Sequence, residues 1–109
     1  MSQTKAQLIA ADATFTISSD ASFNSVSVGK GANSVAQNTV LGESALDASV
    51  SGGENTAIGF QTLSNNTSGS ANTAVGRNSL LAVTTGANNT GVGRGSLASN
   101  VTASNNTGR

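Results

Sequence analysis

The sequence contains no cysteine, histidine, tyrosine, tryptophan or proline, and only three phenylalanines. Without cysteine there is no disulfide framework and no thiolate metal site. Without histidine, cysteine and tyrosine, the usual general bases and nucleophile partners are missing. The chain therefore reads as a non-enzyme, with no cofactor and no metal expected. Charge is scarce as well. Five basic and five acidic residues cancel, so no net excess points to nucleic acid or an anionic membrane as partner. No apolar run approaches the length of a transmembrane helix. Near the N-terminus, Leu8-Ile9-Ala10-Ala11 is too short for a secretory signal. Assembly inside the producing cell is the expectation.

Large apolar side chains are few. Leu, Ile, Val and Phe fill 22 of 109 positions, whereas Ser, Thr, Asn and Gly fill 56. That is too little apolar surface for the core of a compact monomer. Disorder is the usual result of low hydrophobicity combined with high net charge, but here the net charge is zero and the chain is periodic.

The period is what the sequence does have. Asn38-Thr39-Val40-Leu41-Gly42 recurs as Asn55-Thr56-Ala57-Ile58-Gly59, Asn72-Thr73-Ala74-Val75-Gly76 and Asn89-Thr90-Gly91-Val92-Gly93, and begins again at Asn106-Thr107-Gly108. The spacing is 17 residues each time. A leucine follows four residues after each glycine, at Leu46, Leu63, Leu80 and Leu97. A hydroxyl residue recurs at Ser51, Ser68, Thr85 and Thr102, followed by Gly52, Gly69, Gly86 and Ala103. A fixed period decides the architecture before any local propensity does.

Roles follow within a unit, counting from its Asn. Positions two to four form a short strand. The glycine at position five (Gly42, Gly59, Gly76, Gly93) suits positive φ or a close backbone approach. The leucine at position nine plugs the unit, with Leu41, Ile58, Val75 and Val92 expected beside it. Ser64-Asn65-Asn66 and Ala98-Ser99-Asn100 are expected in an outer turn. The Asn column (Asn38, Asn55, Asn72, Asn89, Asn106) can bond amide to amide along a stack spaced at about 4.8 Å.

One unit buries two or three aliphatic side chains, roughly 1.5–3 kcal/mol each. Ordering its backbone costs on the order of 1–2 kcal/mol per residue. A lone unit cannot fold, whereas stacked units share bonds and contacts. Three chains around an axis would add a second wall. The expected fold is all-β: a trimeric parallel β-roll of one 14-residue and four 17-residue repeats over residues 24–109, preceded by an anchor segment at 1–23.

That segment divides further. Thr4 to Ala11 favours a short helix capped by Ser2, too short to stand alone. Residues 13–18 alternate as a strand, with Phe15 and Ile17 on one face. Residues 18–22 read as a turn, with Phe23 at the junction. Leu8, Ile9, Phe15, Ile17 and Phe23 are the candidate docking residues. Two readings of the first twelve residues stand, an anchor that grips another protein and a frayed terminus. In the 14-residue unit, Val26 and Val28 mark a strand, Lys30-Gly31 a turn, and Ser34-Val35-Ala36 the return strand.

The unit Asn24-Ser25-Val26-Ser27-Val28-Gly29, followed by Ala32, Ser34 and Ala36, resembles the head repeat of trimeric autotransporter adhesins. The 17-residue form, Asn-Thr-Ala-Val-Gly with a later Leu and Asn-Asn-Thr-Ser-Gly, is similar to repeats in the fibres of marine and cyanobacterial phages. Thr4-Lys5-Ala6-Gln7-Leu8-Ile9 looks like the opening of such fibres. The resemblance implies a left-handed parallel β-roll with three chains per rod. It implies a structural virion protein, a trimeric tail fibre or spike, assembled in the host cytoplasm. Residues 1–23 would dock on other virion proteins, and the roll would project toward a host surface glycan or protein. Two alternatives stay open: the head module of an adhesin on a bacterial cell surface, and a head or capsid decoration fibre. Such an adhesin carries a signal sequence and a C-terminal membrane anchor, which this sequence does not show. It stops inside a repeat, as the front part of a longer fibre would. A glycan-cleaving spike would need a catalytic domain beyond Arg109.

Other motifs carry less. Glu43 and Asp47 can meet in one unit and offer oxygens to a cation; scattered solvated acids are the plainer reading. Gly29-Lys30-Gly31 and Gly93-Arg94-Gly95 lack the spacing of a phosphate loop before a helix and read as turns. Arg77 and Arg94 share one repeat position, after Glu43 and Phe60. They read as solubilising charge, or as a contact for anionic glycan or a neighbouring virion protein. The Asn-x-Ser/Thr sequons at Asn65 and Asn88 arise by chance in Asn-rich repeats.

Overall fold

The computed structural model describes residues 19–48 and 51–109. The helix expected at 4–11, the strand expected at 13–18, and Leu8, Ile9, Phe15 and Ile17 lie outside those residues. The described chain is all-β. Seven short strands form one mixed sheet in chain order: β1 (Ala21–Phe23), β2 (Val26–Gly29), β3 (Thr39–Gly42), β4 (Thr56–Ile58), β5 (Thr73–Val75), β6 (Thr90–Val92) and β7 (Thr107–Gly108). The only helical element among the described residues is a 3-10 turn at Ala32–Ser34.

From β3 onward every pairing is parallel, and each residue meets the one 17 further on: Val40 with Ala57, Ala57 with Ala74, Ala74 with Gly91, Gly91 with Gly108. The chain between strands keeps the same offset. Leu46 N–H donates to Thr62 O, Leu63 N–H to Ser79 O and Leu80 N–H to Ser96 O, at 2.9–3.2 Å. On the far side Ala71, Asn88 and Asn105 donate to Gly53, Ser70 and Ala87 at 2.9–3.0 Å. Backbone groups that loops usually leave to water are thus paired between layers.

The chain returns to register by repeated use of the left-handed region. Position five is a glycine at φ 126°, 121° and 113° in Gly59, Gly76 and Gly93. Position seven is left-handed in Ser44, Gln61, Asn78 and Gly95, and position seventeen in Glu54, Ala71, Asn88 and Asn105. The position-nine leucines are left-handed too, with φ of 50–51° in Leu46, Leu63, Leu80 and Leu97. A leucine held there costs on the order of 1–2 kcal/mol, and glycine would adopt it freely. Glycine, however, has no side chain to fill the interior. Leu46, Leu63 and Leu80 are fully buried, which offsets the conformational cost.

The start of the sheet differs from expectation. Ser34-Val35-Ala36 is not a strand, and the partner returning to β2 is β3, paired antiparallel. The 14-residue unit is therefore not a shorter copy of the later layers. It reverses the chain and covers the edge of β3. Residues 21 and 22, expected in a turn, belong to β1, which pairs antiparallel with β2. An open parallel edge invites further strands, and a hairpin laid over it blocks that end. Gly31 sits over the first layer, where an added Cβ would lie 2.7 Å from Leu46 O and 3.2 Å from Val40 Cγ2.

Asp20 pins this turn. Its carboxylate accepts from Lys30 N–H at 2.6 Å and from Gly31 N–H at 2.8 Å. Charge-assisted bonds of this kind contribute about 1.5–3 kcal/mol. Asp20→Ala is expected to accelerate amide hydrogen exchange at Lys30 and Gly31 by tenfold or more, with Thr73 and Thr90 unaffected. Unchanged exchange at Lys30 would remove Asp20 from the cap.

Candidate interaction surface

Two columns run through the interior. The first is the leucine column, with Val40, Ala57 and Ala74 against it and Leu97 partly buried at its end. The second is the asparagine column. Asn55, Asn72 and Asn89 have no exposed surface. Each Oδ1 accepts two bonds from the Asn 17 residues later, one from backbone N–H and one from Nδ2: Asn55 to Asn72 at 3.0 and 3.1 Å, Asn72 to Asn89 at 2.9 and 3.0 Å, Asn89 to Asn106 at 3.0 and 3.0 Å. The Nδ2 groups also donate to Gly69 O, Gly86 O and Ala103 O at 2.9 Å. Buried amides this fully satisfied specify one register.

Asn66, expected in an outer turn, is buried as well. Its Oδ1 accepts from Gly69 N–H and its Nδ2 donates to Gly69 O, both at 2.9 Å. Val83 takes the equivalent place in the next layer and is equally buried.

The aliphatics of position four lie elsewhere than expected. Strand side chains alternate between faces. Since positions one, three and five face inward, position four faces out. Leu41, Ile58 and Val92 are 45%, 36% and 47% exposed. They do not flank the buried leucines. Val28 pairs with Leu41 and extends the column by one strand. Thr39, Thr56, Thr73 and Thr90, two residues earlier, lie on the same outer face. The outer sheet thus carries an apolar stripe beside a threonine stripe, with no charged residue in β2 to β7.

At the corner after each strand, position six carries Glu43, Phe60, Arg77 and Arg94 in turn. Backbone bonds from Asn78 N–H to Phe60 O and from Gly95 N–H to Arg77 O, both 2.9 Å, hold this corner in register. The Arg77 guanidinium lies 5.6 Å from the Phe60 ring centroid, a cation–π distance. Phe23, the one candidate docking residue within the described chain, is 64% exposed on β1.

A shallow cleft of about 210 Å³ opens beside the cap, lined by Ser19, Asp20, Val28 and Lys30 among others. Its one carboxylate is engaged by the Lys30 and Gly31 amides. Among the described residues no three Asp or Glu side chains gather as a metal site, and no helix is long and apolar enough to cross a membrane. Glu43 and Asp47 therefore have no third carboxylate with them. No protein-family model matches the chain, and neither does any curated protein or solved structure.

Proposed function

We propose that the chain is a segment of a virion fibre or spike, three copies packed side by side as a β-roll. Residues 1–23 fasten it to the particle, and the rod projects toward the host surface. One observation carries this reading: the outward stripe Val28, Leu41, Ile58, Val75 and Val92. A single chain already buries Leu46, Leu63 and Leu80 and the ladder of Asn55, Asn72 and Asn89, so this stripe serves no interior. It repeats at every strand, about 4.8 Å apart, and runs along a face without charge. An identical stripe from a second and third copy matches it spacing for spacing, and burying it removes apolar surface from water.

Light scattering tests it. The purified protein is expected at three times the chain mass of 10.6 kDa. Replacing Ile58 and Val92 together by Lys is expected to yield a monomer that keeps the β signal in circular dichroism. A parent protein that is monomeric with a full β signal would sink the three-chain rod.

A further inference from the structure

Charge is divided along the chain although its sum is zero. Residues 1–54 contain all five acids and two lysines, a net charge of −3. Residues 55–109 contain three arginines and no acid, a net charge of +3. Within the basic half, Arg77 and Arg94 occupy the same corner on consecutive layers, about one strand spacing apart. Two like charges so placed repel by about 1 kcal/mol in water. Among the described residues neither arginine has a carboxylate partner, and only Arg77 is engaged, through Phe60. No contact among the described residues accounts for Arg94 on the layer after Arg77. Phe60 is 37% exposed, an apolar ring beside Arg77 and at the same corner, two layers before Arg94.

We infer that Phe60, Arg77 and Arg94 form a binding strip for a carboxylated polysaccharide, a chain of uronic or sialic acid units. This deepens the fibre reading and rests on it. An extended pyranose chain advances by about one ring per unit, a step comparable with the spacing of the layers, so successive carboxylates can meet successive guanidiniums. Arginine pairs with carboxylate through two parallel N–H···O bonds. The exposed face of Phe60 stacks on the apolar face of a sugar ring, as aromatic side chains with free surface do. The acidic first half repels the same polymer and directs it to the far half of the rod. Three chains would present three strips, so weak single sites add up by avidity.

Isothermal titration with hexagalacturonate, its methyl ester and neutral maltohexaose tests the strip. The parent is expected to bind the acid oligomer and neither neutral one. Arg77→Gln with Arg94→Gln is expected to weaken binding tenfold or more, while Arg109→Gln changes it less than twofold; an unchanged circular dichroism spectrum controls for folding. Equal binding of the ester, undiminished binding by the double variant, or equal binding of a single-stranded RNA oligomer would each overturn the proposal. The outcomes separate from those of light scattering: a trimer that ignores hexagalacturonate keeps the fibre and loses the strip, and a monomer that binds it does the reverse.

Discussion

Asn72→Ala is expected to lower stability by about 3 kcal/mol or more. The substitution leaves the buried Asn89 N–H without its acceptor and Gly86 O without the Nδ2 donor at 2.9 Å. Each orphaned group costs about 1–3 kcal/mol. In a domain of this size that is a fall in melting temperature of roughly 15 °C. Asn72→Asp is the sharper probe because it keeps the shape. Its carboxylate still accepts from Asn89, but its second oxygen faces Asn55 Oδ1 and Gly86 O, with no proton to donate and a charge to bury. That environment raises the carboxyl pKa in the folded state. A raised folded-state pKa means that folding takes up a proton. Stability is therefore greatest at low pH and is lost as pH rises through the folded-state value. The aspartate variant is expected to regain stability on acidification toward about pH 4, whereas the alanine variant is not. Urea unfolding of both variants across that range checks it. Two variants within about 0.5 kcal/mol of the parent would mean that the ladder is incidental.

Gly76→Ala is expected to be as damaging by an unrelated route. Gly76 has φ of 121°, a conformation an L side chain rarely enters, and an added Cβ would lie 2.7 Å from both Gly93 C and Gly93 O. Those are backbone atoms of the next layer and cannot swing away. The conformational penalty and the overpacking together come to roughly 3–5 kcal/mol. Gly95 is the control. It is also left-handed, at φ 69°, but a Cβ there meets nothing within 4 Å. Asn78 occupies the same position one layer earlier at φ 59° with its side chain intact. Gly95→Asn is therefore expected to stay within about 0.5 kcal/mol of the parent. Thermal unfolding of the two variants side by side is the test, and similar losses in both would move the cause from interlayer contact to backbone conformation alone.

The all-β class and the 17-residue offset were legible because identity at a fixed spacing survives without any knowledge of side-chain direction. The Asn column was legible for the same reason. Direction was the harder quantity. Leu41, Ile58, Val75 and Val92 look like core by composition, and only the alternation of a strand anchored by the buried Asn at position one turns them outward. The left-handed leucines carry no sequence signal, since leucine is not a turn residue. Asn78, Asn88, Asn105 and Gly95 do carry one, because asparagine and glycine tolerate that conformation. The reversal at β2 was hidden because Val26-Ser27-Val28-Gly29 imitates the opening of a later unit. Strand polarity is set by the connection, and the connection from Lys30 to Asn38 is too short for a parallel crossover. Asn66 was assigned to an outer turn because asparagine is usually exposed. Its two bonds to Gly69 show why it is not.

The antiparallel hairpin at the head of the sheet has a further meaning. Beyond it, each layer repeats the bonds of the last, so the chain could gain or lose one whole unit with every remaining bond still made. Any other change in length would take the Asn of one layer off the Asn of the next. The molecule is a ruler graduated in steps of 17 residues, and only the hairpin pinned by Asp20 cannot be mistaken for another mark. It is the zero of the scale, the end of the stack from which the layers are counted.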